Sequence, residues 1–204
     1  AITGNNSYSS STAHGIAVTT QDQSGFENVT IRNFVIRNFS RSIYTFNAQN
    51  WTIFNNSLYT TESSNRFQDS DYLSGQTKAG IFIYQGTGIN VSSNYIDVNS
   101  SIAAMGIYFQ NVTENMLEGQ SSGGVSNYIE FNNIVGYSNA SIALIELSAA
   151  SDNSIIRHNK VLAMDGNGGV IYFGGGTNHS TIEYNNISVR GTFVRTVGGK
   201  KTRD

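Results

Sequence analysis

The chain has no cysteine and no proline among its 204 residues, and only 13% of them are charged. Without cysteine there is neither a disulfide framework nor a thiolate zinc site. The formal net charge is -2, and the sole basic cluster is Lys200-Lys201-Thr-Arg203. A phosphate-backbone partner therefore has little support. No apolar run approaches the roughly 18 residues of a membrane span, and no signal-peptide pattern precedes Ala1. That leaves a mature start or an excised segment as the expectation at the N-terminus. Amphipathic helical patterns are also missing, which argues against alternating strands and helices.

What remains is strand-forming chemistry. The apolar residues are mostly Ile, Val, Phe and Tyr, set among abundant Gly, Asn, Ser and Thr. A six-residue phrase, in outline Ile-x-x-Asn-x-Ile, recurs six times: Ile31-Arg-Asn-Phe-Val-Ile36, Ile53-Phe-Asn-Asn-Ser-Leu58, Val91-Ser-Ser-Asn-Tyr-Ile96, Ile129-Glu-Phe-Asn-Asn-Ile134, Ile156-Arg-His-Asn-Lys-Val161 and Ile182-Glu-Tyr-Asn-Asn-Ile187. Its fourth place is Asn56, Asn94, Asn132, Asn159 and Asn185, with Phe34 in the first copy. A recurring unit of this length marks a solenoid. A short apolar strand precedes each phrase: Gly15–Val18, Ser42–Phe46, Gly80–Tyr84, Gly106–Gln110, Leu144–Ser148 and Val170–Gly174, with Thr192–Thr196 closing the series. Two longer gaps read as loop insertions, 59–79 and about 111–127.

Gly-Ile-x-x opening a strand, then Ile-x-x-Asn-x-Ile about ten residues on, resembles the right-handed parallel β-helix repeat of the pectate-lyase-like superfamily. The resemblance covers about residues 14–196 and implies an all-β, single-stranded solenoid of six to seven coils. Residues 1–13 are then a polar lead-in and 197–204 a polar tail. It also implies that the Asn sits in the sharp turn between the second and third sheets and stacks with its counterparts. Asn tolerates left-handed backbone angles, and its amide can reach the next coil, about 4.8 Å away. With Phe34 in the first copy, the ladder should start at Asn56. No capping helix is evident at either end. Exposed end coils invite pairing, so further coils or partner subunits are expected over them.

Strand alternation assigns faces. In the phrase, the second place should point out, stacking Glu130, Arg157 and Glu183 as alternating charges. His158, one step from the turn, is expected to pack inside. In the preceding strand, Tyr44, Phe82, Tyr108, Glu146 and Tyr172 should form an outward row, with Phe46 and Tyr84 beside it. An aromatic row on a solvent-facing sheet needs a reason. It is a stacking ladder, a sugar platform, or a surface covered by the insertions or by another subunit.

Catalytic candidates are few. A β-helix lyase needs a base and carboxylates holding calcium, and a glycoside hydrolase needs two opposed carboxylates. The candidates are Glu146, Asp69, Asp71, Lys78 and Arg66, and Asp69-Ser-Asp71 is the one place where calcium is conceivable. The Asn-Thr-Asp, Asp-Asp, Gly-His-Gly and Arg-Ile-Lys signatures of polygalacturonase-like β-helices are absent, leaving His14-Gly15 as a remnant. His14, His158 and His179 should lie on different sheets or loops, so no cofactor or metal set is expected. Asn-x-Ser/Thr triplets occur eleven times, against about five by chance for this acceptor signal. Glycosylation candidates are Asn28, Asn50, Asn90, Asn111, Asn139, Asn178 and Asn186, although the repeat's own taste for Asn near Thr explains the excess equally well. The expectation is an extracellular or cell-surface structural domain that contacts glycans or neighbouring subunits through Tyr44, Phe82, Tyr84, Tyr108 and Tyr172. The alternative is a polysaccharide lyase or glycoside hydrolase working in a groove over the same sheet.

Overall fold

A computed structural model describes residues 1–3, 14–18, 26–61, 78–100, 103–110, 126–138, 141–148, 153–164, 167–173, 179–190 and 195–199. Every regular element among them is a β-strand, and every strand pairing is parallel. The strands form three sheets, two of seven and one of six. The fold is a parallel β-helix solenoid, with no helix among the described residues long and apolar enough to cross a membrane.

Each coil visits the three sheets in turn. A broad sheet comes first, built from His14–Val18, Arg41–Gln49, Lys78–Thr87, Ala103–Gln110, Ser141–Ser148, Asn167–Phe173 and Arg195–Gly199. A narrow sheet of three-residue strands follows: Thr30–Arg32, Thr52–Phe54, Asn90–Ser92, Tyr128–Glu130, Ile155–Arg157 and Thr181–Glu183. A back sheet closes the coil, with Ile2–Thr3, Val35–Arg37, Ser57–Thr61, Tyr95–Ser100, Asn133–Ser138, Lys160–Met164 and Asn186–Arg190. Pairing thus reaches into the stretch expected as a lead-in, where Ile2 faces Ile36. The final strand runs to Gly199, past the expected boundary.

The core is a stack of equivalent residues. Ile36, Ile53, Leu58, Val91, Ile96, Ile129, Ile134 and Ile156 are all fully buried at the first and last places of the phrase. Each such side chain contributes roughly 2 kcal/mol of burial free energy. Pairing puts Ile53 on Val91 and Ile96 on Ile134, so like lies on like along the axis.

The broad sheet bends, and the bend explains the Gly-Ile motif. Two successive residues turn inward in each strand, as in Ser42-Ile43, Gly80-Ile81, Gly106-Ile107 and Leu144-Ile145, all buried. The strand pairing skips the first of the two: Arg41 faces Ala79 and Ile43 faces Ile81, with no ladder partner between. At Gly106 a Cβ would stand 2.5 Å from the Leu144 carbonyl oxygen and 2.6 Å from the Ile134 side chain. Ser42 fills the same place in its coil, where its hydroxyl shares a 3.1 Å hydrogen bond with that of Thr60. Residues on both sides of the inward pair consequently point outward. This places Ala79 with Phe82, and Met105 with Tyr108, in one apolar cluster on the outer face.

Candidate functional site

The narrow-to-back turn is the most regular feature of the molecule. The residue before the fourth place of the phrase, Phe34 in the first copy and the ladder Asn in the rest, carries the left-handed backbone: Asn33, Asn55, Ser93, Phe131, His158 and Tyr184 have φ between 53° and 63°. The ladder Asn itself is not left-handed, which corrects the expectation. A left-handed residue reverses the chain and throws its own side chain outward, so the following Asn is turned in. Asn56, Asn94, Asn132 and Asn159 are each 1% exposed. The Nδ2 of Asn56 donates to Oδ1 of Asn94 at 3.0 Å, Asn94 to Asn132 at 3.0 Å, Asn132 to Asn159 at 3.0 Å and Asn159 to Asn185 at 2.9 Å. Each Oδ1 also accepts the backbone N–H of the preceding coil, and Phe34 N–H starts the series at Asn56. The second Nδ2 hydrogen goes to a strand carbonyl: Ile31, Ile53, Val91, Ile129 and Ile156. The ladder thus satisfies polar backbone groups that the turn would otherwise strand in the core.

The same geometry overturns the reading of His158 as a core residue. It is exposed, with its ring stacked between Phe131 and Tyr184 at centroid distances of 4.9 and 5.2 Å. Phe131 is 57% and Tyr184 75% exposed. The ring faces are turned to one another along the axis, so the stack presents edges to solvent. Beside it, the expected charge column is in place. Arg157 Nε donates to Glu130 at 2.9 Å, and Arg157 Nη1 lies 4.0 Å from Glu183. The hydrogen bond to Glu130, then its charge, pushes the exposed Arg157 guanidinium up from its ordinary value.

The outer row of the broad sheet is in register as read: Tyr44 faces Phe82, Phe82 faces Tyr108, Tyr108 faces Glu146 and Glu146 faces Tyr172. Tyr44 and Phe82 meet at 5.5 Å, and Phe82 and Tyr108 meet edge to face at 4.8 Å. Phe46 and Tyr84 stack at 5.1 Å. The row is not solvent-facing along its length, however, because Phe82 and Tyr108 are only 4% and 5% exposed. Tyr44, Tyr84 and Tyr172 are half-buried and form its open rim.

Ionisable side chains lie beside this row. Arg41 lies over the Phe82 ring at 4.2 Å and the Tyr44 ring at 5.3 Å, because the bend turns it to the same side as Tyr44. Sequence patterning missed it, since simple alternation places Arg41 and Tyr44 on opposite faces. Burial lowers the Arg41 pKa, and raises that of Tyr44 although the guanidinium opposes this. His14 stacks on Tyr44 at 4.7 Å, and burial, then the Arg41 charge, hold its imidazole down. Glu146 is 8% exposed, and burial pushes its carboxyl up to about 7.

Lys78 does not join Glu146. It pairs opposite Ala104, four positions before the Phe82 and Tyr108 level, so the sheet sets the two about 13 Å apart along the strand direction alone. Its Nζ donates instead to the Ser40 hydroxyl at 3.1 Å. Asp69, Asp71 and Arg66 lie outside the described residues, as do Asn111, Asn139 and Asn178. Among the described residues no group of three or more His, Cys, Asp and Glu is arranged to hold a metal.

Of the remaining acceptor asparagines, Asn28 and Asn50 are exposed at left-handed turn positions, with φ of 58° and 54°. Each begins the turn into a narrow-sheet strand that opens with the Thr of its triplet, Thr30 or Thr52. Asn186 is exposed, while Asn90 is half-buried with its Oδ1 unpaired among the described residues. Turn chemistry therefore accounts for part of the triplet excess. Compared with known proteins, the chain matches no family model, no curated protein and no solved structure.

Proposed function

We propose that this chain is an extracellular or cell-surface structural β-helix domain of the pectate-lyase-like kind that contacts glycans along the rim of its broad sheet. The observation that carries the reading is the in-register outer column Tyr44–Phe82–Tyr108–Glu146–Tyr172, buried at its centre and half-open at Tyr44 and Tyr172, with half-buried Tyr84 beside it. Tyrosines held this way offer apolar area together with a hydroxyl. Tyr44 and Tyr84 need little ordering on binding, because ring stacking already fixes them. The many acceptor triplets and the polar, charge-poor surface suit an outer location.

A second reading has one observation behind it. The Glu146 carboxyl, raised to about 7, holds the proton that a general acid needs near neutral pH. A glycosidase also needs an opposed carboxylate, and among the described residues neighbouring Glu146 in register there are only Tyr108 and Tyr172. Glycan contact without cleavage is the better supported of the two.

A glycan-array screen of the parent protein, with Tyr84→Ala and Tyr172→Ala as controls, tests the proposal. Binding by the parent and at least tenfold weaker binding by both variants is the expected result. No binding to any glycan removes the reading, and contact with a second copy or another subunit then takes its place. Product release from a bound polysaccharide, lost in Glu146→Gln, would favour the enzyme.

A further inference from the structure

Resting on the glycan reading, we infer that Glu146 is the anchor for a positively charged amino group, so that the preferred ligand is an amine-bearing glycan rather than a neutral or acidic one. The starting point is a carboxyl with no described partner. Glu146 is 8% exposed, and no hydrogen bond or ion pair holds its carboxyl among the described residues, though its oxygens are not among the fully buried unpartnered atoms. Largely removed from water and uncompensated, its charged form is costly. Nothing in the coil architecture asks for it, because the same column is filled by aromatic rings in the coils on either side.

Its surroundings suit a cation. Tyr108 and Tyr172 flank it at the same register, one strand spacing away on each side, about 4.8 Å. Aromatic rings attract ammonium groups, and more strongly where water is excluded. Two cations of this sheet are engaged elsewhere, Arg41 over Phe82 and Lys78 on Ser40. Tyr172 is half-buried, against 5% exposure for Tyr108, so it is the more open of the two neighbours. A neutral sugar hydroxyl would satisfy a lone pair without compensating the charge, and a uronate would be repelled. An ammonium does both jobs, forming a charge-assisted hydrogen bond and neutralising the carboxylate. Because burial leaves the carboxyl only partly ionised at neutral pH, such a ligand would draw its last proton off on arrival.

The test is calorimetric titration of the full chain at pH 6.5 with a six-unit glucosamine oligomer and its fully N-acetylated counterpart, which lacks the charge. The parent is expected to bind the amine form at least tenfold more tightly. Glu146→Gln, with its fold checked by circular dichroism, should lose that preference, its affinity for the amine form falling to that for the acetylated one. Tyr172→Leu should weaken the amine form at least threefold by removing one wall. Equal affinities in the parent, or a preference that persists in Glu146→Gln, overturns the inference and leaves the glycan reading standing. Failure to bind either oligomer while other glycans bind on the array overturns it too. Failure to bind any glycan overturns both.

Discussion

A left-handed residue without glycine costs about 1–2 kcal/mol, and this chain accepts that cost at Asn33, Asn55, Ser93, Phe131, His158 and Tyr184. The compensation lies one residue on, where each interior Asn fills its hydrogen-bonding capacity inside the core. Asn132 shows the arrangement: it donates to Val91 and Asn159 and accepts from Asn94. Replacing it with Ala would leave the Asn94 amide groups, the Val91 carbonyl and the Asn159 Oδ1 short of a partner. At about 1–3 kcal/mol for an unsatisfied buried group, Asn132→Ala should lower unfolding stability by at least about 3 kcal/mol in urea denaturation. The five Asn were legible from spacing, and the resemblance to the β-helix repeat implied that they stack in a ladder starting at Asn56. The left-handed place was not legible. Asn is so common a left-handed residue that it drew the assignment to itself, whereas the fold spreads that conformation over Ser, Phe, His and Tyr. The exposure of His158 was lost with it, since an error of one residue at a turn reverses inside and outside.

The strands were legible as apolar runs, and their pairings followed from aligning the copies. Their lengths and curvature were not. Arg41–Gln49 and Lys78–Thr87 run several residues beyond the apolar runs, because polar residues join a parallel sheet once neighbours supply the hydrogen bonds. The bend after Arg41, Ala79 and Met105 breaks the alternation that face assignment relies on, and it brings Arg41 onto the aromatic row. Gly106 is where the bend is tightest against the next coil. Gly106→Ala must displace either the Leu144 carbonyl or Ile134. The cost expected for such overpacking is about 1–3 kcal/mol. The same thermal or urea measurement checks it, with Ala104→Gly, on the same strand, as a control of opposite volume change.

Across the whole molecule, the solenoid concentrates its unusual chemistry on one sheet, and Glu146 ties that chemistry to stability. Its carboxyl ionises near 4.5 in the unfolded chain and near 7 in the folded one. Between those values the unfolded chain has released a proton that the native state retains, so stability falls as pH rises from about 4.5 to 7 and then levels off. The fall due to this group is on the order of 3 kcal/mol. Urea denaturation at pH 4.5 and pH 7.5 should show it in the parent and not in Glu146→Gln. The aromatic column could be read from the sequence because it repeats with the coil. That Phe82 and Tyr108 would be buried could not, since burial depends on what covers a face and alternation reports only which face it is.

The proposal that glycans meet this protein at the rim of the broad sheet is open to radical footprinting of its tyrosines, with and without the tightest-binding oligosaccharide from the array. Tyr84 and Tyr172 should be protected, with Tyr184 on the narrow-sheet edge and Tyr95 on the back sheet labelled as before. Protection of Tyr184 with Tyr84 and Tyr172 unchanged would contradict it.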